Sequence, residues 1–172
     1  MPHLLRRYRL VLGFFILALI ASGVTAFPLN WELNLLTRWR GVEHLTAASV
    51  PEGIDHWLLT VRDGLRDIDA RYPWYPYGTD WLAFAHIIIA TFFIGPLIDP
   101  VRNVWVLYAG LVACFLILPH AFLCGPIRGI PFYWRLIDCS FGVFGALPLL
   151  YCLRLTRQIA EAGRGNAEPS RR

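Results

Sequence analysis

Three ionisable residues lie inside apolar segments of the sequence: His86, His120 and Asp138. Each falls in the half of its segment that we expect to lie toward the same membrane face. An ionisable side chain is costly in hydrocarbon, so such residues usually face a protein interior or a water-filled cavity and mark a functional site. Arg135 precedes Asp138 by three residues, a spacing that allows the two side chains to pair on one helix face. These four residues form the candidate site.

Three hypotheses describe this cluster. In the first, its side chains only hydrogen-bond between helices, or to backbone freed by Pro119, and fix the packing. In the second, His86 and His120 are ligands of a haem b or a metal ion, because neutral imidazole is the commonest metal ligand. In the third, the cluster is a small-molecule or proton site, for example for a quinone headgroup, with Arg135 or Arg128 binding a polar end.

Known catalytic motifs do not support any one of these hypotheses. The sequence has no Cys-x-x-Cys-His haem-attachment motif and no His-x-x-x-His or Glu-x-x-His pair on one helix. Ser140 follows Asp138 and Cys139 directly, and neighbouring side chains of a helix point in different directions instead of forming a catalytic relay. The sequence therefore favours a protein that is not an enzyme.

Composition indicates an integral membrane protein. The 172 residues are 56% hydrophobic, with a mean hydropathy of +0.48, which lies outside the range of ordinary soluble domains. All sixteen basic residues are arginines, and they do not form a basic stripe of the kind that nucleic-acid binding requires. We therefore expect the lipid bilayer, and no nucleic acid, as a partner.

A spanning helix needs about 20 apolar residues, and four segments approach that length. They are residues 10–27, 80–98, 104–123 and 132–153. The sequence thus predicts an all-α bundle of four transmembrane helices in a single domain, residues 1–157. A loop on the outer face, residues 28–79, and a disordered cytoplasmic tail, residues 158–172, complete this prediction.

Arginines concentrated near both ends of the chain predict that the N-terminus and the C-terminus are cytoplasmic. The segment from Arg6 to Ala26 also has the three parts of a signal peptide, and cleavage after Ala26 would leave three spans. Against cleavage, Ala18, Ser22 and Ala26 form a stripe of small residues suited to close helix packing in lipid. Both interpretations remain open.

The outer loop has the pattern of an amphipathic helix. Ser49 and Glu52 have the spacing of a capping box at a helix start. Apolar residues then recur at helical spacing from Ile54 to Ile68, while charged residues, Arg62 among them, take the other face. This pattern predicts a helix that lies across the outer ends of the bundle or docks a partner. A shorter helix is predicted from Trp31 to Arg40.

The four cysteines lack the Cys-x-x-Cys spacing of a redox motif. Cys114 and Cys152 are expected to pack as small apolar side chains. Cys124 and Cys139 both lie near the outer side, which would allow a disulfide in an oxidising compartment.

Three stretches of the sequence are similar to a known family. They are Ser22–Pro28; Tyr77–His86 with the following Gly95-Pro96 and Asp99–Asn103; and Gly125–Phe132 with Trp134–Gly142. Together they resemble a family of small bacterial integral membrane proteins that has no assigned activity. The resemblance implies a bacterial inner-membrane location and implies no substrate, cofactor or site.

These observations give two functional hypotheses. The leading one is a non-enzymatic accessory or assembly component whose outer face docks a membrane-protein partner or a second copy of the chain. The alternative is a redox or ligand-binding protein that holds haem, a metal ion or a quinone through His86, His120 and Asp138.

Overall fold

The computed structural model describes residues 2–167, and over this range the chain is helical with no strand. The helices are α1 (Pro2–Thr25), α2 (Leu29–Trp39), a short 3₁₀ helix (Ala47–Ser49), α3 (Ile54–Arg71), α4 (Tyr77–Phe92), α5 (Ile94–Ile98), α6 (Val104–Ile127) and α7 (Phe132–Ala167).

Four helical stretches are long and apolar enough to cross a membrane, as the sequence predicts. They are Pro2–Thr25, Tyr77–Ile98 (α4 with α5), Val104–Ile127 and Phe132–Arg164. The all-α prediction is confirmed, and these four helices fit a multi-pass membrane protein.

Several helices extend further than hydropathy alone predicts. Helix α1 already includes the arginines that precede its apolar run, because arginine is a good helix former. Helix α6 continues to Ile127 and ends where Gly129 adopts a positive φ of 68°, a common helix-ending conformation. Helix α7 continues to Ala167, so residues 158–167 of the predicted disordered tail are helical. The rest of that tail, residues 168–172, lies outside the described residues.

The chain forms two compact units. The first unit contains the residues up to Ala18 and those from Ile89 onward, and the second unit is Leu19–Ile88. The first unit thus holds α5, α6, α7 and most of α1, and the second holds α2, α3 and most of α4.

Glycines bring α6 and α7 of the first unit into close antiparallel contact. A Cβ added to Gly142 would lie 2.6 Å from the Cys114 carbonyl oxygen, and one added to Gly110 would lie 2.9 Å from Leu149 Cδ1. Such backbone approach is how helices associate in lipid, where apolar surface alone gives little driving force. The two helices therefore form a tight hairpin.

In the second unit, the end of α1 packs against α4 at Gly23. A Cβ at this position would lie 2.7 Å from the Ala83 carbonyl oxygen and 3.0 Å from His86 Cβ. Of the predicted small-residue stripe, Ala18 and Ser22 are exposed and Ala26 is half-buried, and Gly23 supplies the close approach to α4. Glycine allows this because the backbones are too close for any side chain.

Helix α3 confirms the amphipathic helix predicted from Ile54, and it extends to Arg71. The predicted capping box between Ser49 and Glu52 was wrong. Ser49 instead ends the 3₁₀ helix, where its hydroxyl accepts a hydrogen bond from the Thr46 backbone N–H at 3.1 Å. The helix starts after Gly53, whose φ of 154° is a conformation that favours glycine.

Candidate functional site

The antiparallel packing of α6 and α7 brings His120 and Asp138 together in the first unit. Since Cys114 lies opposite Gly142 and Gly125 lies opposite Arg135, His120 falls at the level of Asp138 along the hairpin. The two side chains lie within electrostatic range of each other. His120 is exposed and Asp138 is half-buried, so this pair reaches the surface of its unit.

Arg135 belongs to the same hairpin but does not form the predicted pair with Asp138. Its side chain lies against α6 at Gly125, where an added Cβ would collide with it. Its guanidinium lies 5.2 Å from the centre of the Phe132 ring, within range of a cation–π interaction. Among the described residues, Arg135 Nε is buried without a hydrogen-bond partner.

His86 lies in the second unit, on α4. Its Nδ1 is 2.9 Å from the Leu82 carbonyl oxygen one turn earlier, which satisfies that nitrogen as a donor. The predicted site shared by His86 and His120 stays a prediction. Residues 2–167 hold no group of three or more His, Cys, Asp or Glu side chains that could bind a metal ion.

All four cysteines are free. The disulfide that the sequence would allow between Cys124 and Cys139 is therefore not formed; Cys139 is buried and Cys124 is exposed. Cys114 contacts Gly145 on α7, at 3.1 Å from the position of an added Cβ, as a small packing residue.

The second unit contains a polar arrangement that the sequence did not reveal. Arg62 was predicted on the solvated face of α3, but its side chain is only 4% exposed. It donates hydrogen bonds to the carbonyls of Glu43 at 2.8 Å and Leu45 at 2.9 Å, and it pairs with Asp63 at 2.7 Å. The loop after α2 folds over this face of α3, and its carbonyls need the donors that Arg62 supplies.

Further polar contacts join α2 to α3 in antiparallel order. Arg40 makes two hydrogen bonds to Asp55, at 2.6 and 3.0 Å, and Arg66 donates to Asn34. The hydrogen bond from Arg40 holds the pKa of the Asp55 carboxyl below its usual value, and it raises the pKa of Arg40. These hydrogen bonds join α2 and α3 into a helical hairpin, residues 29–71, which we call the α2–α3 hairpin.

A cavity of about 300 Å³ opens on the α2–α3 hairpin. Its lining residues are Trp31, Asn34, Leu35, Thr37, Arg38, Glu43, Arg62 and Arg66. Arg38 is largely exposed and lies 3.8 Å from Glu43, a loose pair that leaves guanidinium donors available.

Exposed apolar side chains recur beside this cavity. Trp31, Leu35 and Trp39 follow one another at intervals of four residues on α2, and Trp39 is 83% exposed. Their spacing places them on one helix face. With Arg38 and Arg66 they form a surface that is both apolar and basic, which we call the α2 face.

Comparison with known proteins gives no match for this chain among family models, curated proteins or solved structures.

Proposed function

We propose that this chain is a non-enzymatic accessory or assembly component of the bacterial inner membrane, with both termini cytoplasmic. The four apolar helices, the terminal arginines and the sequence resemblance support this proposal. The α2–α3 hairpin joins the first two candidate spans, so in this topology it lies on the outer face of the membrane. Its role is to dock a membrane-protein partner or a second copy of the chain.

The observation that carries the docking proposal is the α2 face. Three large apolar side chains exposed at helical spacing cost free energy in water, and contiguous exposed apolar surface marks interaction sites. An amphipathic helix that lays such a stripe into a groove is a common mode of recognition. The guanidinium groups of Arg38 and Arg66 favour a partner surface that carries carboxylates.

Site-specific photo-crosslinking of the full-length chain in native membranes tests this proposal. We expect a crosslinker at Leu35 to capture one defined partner, and one at Ala70, exposed on α3 outside the cavity, to capture none. The variant Arg38→Glu should remove the Leu35 adduct, because it reverses the charge of the α2 face. Crosslinks to lipid alone, or an adduct that survives Arg38→Glu, would contradict the proposal.

The alignment of His120 with Asp138 along the hairpin of α6 and α7 favours a second candidate function. In this alternative the chain is a redox or ligand-binding protein for haem b, a metal ion or a quinone. A visible absorption spectrum of the purified protein tests the haem form. A Soret band that disappears in His86→Ala would support haem, and a colourless preparation free of metal would remove the haem and metal forms.

A further inference from the structure

Four aromatic rings and one carboxylate line a second cavity, which has a volume of about 200 Å³. The lining residues are Phe27, Tyr77, Asp80, Trp81 and Phe84, all in the second unit. Tyr77, Trp81 and Phe84 recur at one-turn spacing at the start of α4, and Phe27 follows the end of α1. We call this cavity the aromatic cage. Its volume lies below the range of about 300–1,000 Å³ that sites for drug-sized ligands occupy, so it suits a small group.

The rings of the aromatic cage stand at steep angles to one another. The centres of the Tyr77 and Trp81 rings are 6.0 Å apart with an angle of 81° between their planes. The centres of the Trp81 and Phe84 rings are also 6.0 Å apart, at 84°. These are edge-to-face contacts, and the four rings remain 43–62% exposed, so part of each ring surface is open to a ligand. A cation over the face of such a ring is attracted by its negative quadrupole, and tryptophan gives the strongest attraction.

Asp80 adds a negative charge to the aromatic cage. Its carboxylate is half-buried, and within residues 2–167 no arginine or histidine forms an ion pair with it. An unpaired carboxylate beside the rings attracts a cation that approaches it. The rings and the carboxylate therefore favour the same occupant, which is an organic cation.

We propose that the aromatic cage binds the trimethylammonium headgroup of a choline phospholipid. A primary ammonium carries three N–H donors that need acceptors, whereas most of the cage lining is aromatic carbon, which offers none. A trimethylammonium has no such donors, and its methyl groups contact the rings. The cage lies at the first residues of the candidate span Tyr77–Ile98, and aromatic rings at span ends settle at the level of lipid headgroups.

Native mass spectrometry of the full-length protein in a maltoside detergent tests this proposal. The probes are dioleoyl phosphatidylcholine and dioleoyl phosphatidylethanolamine, which differ only in the methylation of the headgroup. We expect retention of the choline lipid over the ethanolamine lipid. Trp81→Leu should weaken binding of the choline lipid by roughly three- to thirtyfold, the range for one cation–π contact. Asp80→Asn, which keeps the shape and removes the charge, should weaken it also.

Trp74→Leu is the matched control, because Trp74 is an exposed aromatic residue of the same stretch that does not line the cage. Its binding of the choline lipid should equal that of the unmodified protein. Equal retention of both lipids, or equal losses in Trp81→Leu and Trp74→Leu, would overturn the cage and leave a general interfacial role for these rings. Binding of choline chloride without binding of the choline lipid would overturn the lipid assignment.

Discussion

A single guanidinium organises the loop between α2 and α3. Arg62 is buried, and it donates to the Glu43 and Leu45 carbonyls while it pairs with Asp63. We expect Arg62→Met to destabilise the α2–α3 hairpin by about 2–4 kcal/mol, because two carbonyls and a carboxylate lose their donor. Hydrogen exchange of the amides of residues 43–50 in the detergent-solubilised protein measures this loss.

The control for Arg62→Met is Arg71→Met. Arg71 pairs with Asp67 at 2.7 Å, but both side chains are more than half exposed. Exposed pairs contribute about 0–1 kcal/mol, so this variant should leave the exchange of residues 43–50 unchanged. Similar exchange in the two variants would show that Arg62 does not hold the loop.

The contact between Arg40 and Asp55 makes the α2–α3 hairpin sensitive to acid. The hydrogen bond from Arg40 lowers the pKa of the Asp55 carboxyl in the folded protein. Its stabilisation is therefore complete above the unfolded carboxyl pKa of about 3.9 and is lost as the pH falls through the lower folded value. We expect amide protection factors near Asp55 to hold between pH 7 and 5 and to fall below about pH 4.

In Asp55→Asn the ionisable partner is absent, so this acid-dependent loss of protection should be much smaller. The comparison isolates Asp55 from the other carboxylates of the hairpin, which titrate in both proteins. Identical pH profiles for the two proteins would show that the pairing with Arg40 does not stabilise the hairpin.

The sequence could identify ionisable groups but not their partners. His120 and Asp138 lie at the same level because α6 and α7 are consecutive antiparallel helices, and their depths follow from hydropathy. The burial of Arg62 depends on a loop that folds back over α3, and no local pattern encodes that path. Arg135 likewise packs against Gly125 instead of pairing with Asp138. This contact depends on the distance between α6 and α7, which the sequence does not report.

Among the helices, the close contact of α6 with α7 depends on Gly142. A Cβ there would lie 2.6 Å from the Cys114 carbonyl oxygen. This oxygen is a backbone atom, so it cannot move aside as a flexible side chain would. We expect Gly142→Ala to destabilise the protein by about 1–3 kcal/mol through overpacking. Thermal unfolding in detergent, followed by circular dichroism, should show a lower midpoint.

Gly13→Ala is the control for Gly142→Ala, since an added Cβ on α1 at this position meets nothing within 4 Å. Alanine is a better helix former than glycine, so this variant should be neutral or stabilised by up to about 1 kcal/mol. If both variants lower the midpoint equally, the contact between α6 and α7 is not the cause.

The positions of the helices could be predicted better than their ends and contacts. Apolar runs of spanning length identified all four candidate spans, because length and composition alone define them. The helix ends depend on local backbone conformation, such as the positive φ of Gly53 and Gly129, which hydropathy does not report. The interhelical contact at Gly23 depends on which helix face turns toward α4, whereas Ala18 and Ser22 of the predicted small-residue stripe are exposed.

For the whole molecule, an even number of spans places both termini on one side of the membrane. If all four candidate helices cross the membrane, they have this parity, and the α2–α3 hairpin lies on the opposite side from both termini. Removal of residues 1–26 as a signal peptide would leave three spans, with the new N-terminus on the side of the hairpin. With or without residues 1–26, the hairpin and the end of α7 therefore lie on the same sides of the membrane. The mass of the mature chain shows whether residues 1–26 have been removed.

Cysteine labelling in intact cells tests this topology. In a chain whose four native cysteines are replaced, we introduce Gly64→Cys, where α3 is exposed and an added Cβ meets nothing within 4 Å. The matched variant is Glu161→Cys, which is exposed near the end of α7. A membrane-impermeant maleimide should label Gly64→Cys in intact cells and Glu161→Cys only after permeabilisation, because the terminal arginines favour the cytoplasm. The reverse pattern would invert the orientation, and labelling of both sites in intact cells would mean that an even number of helices crosses between them, instead of the three expected here.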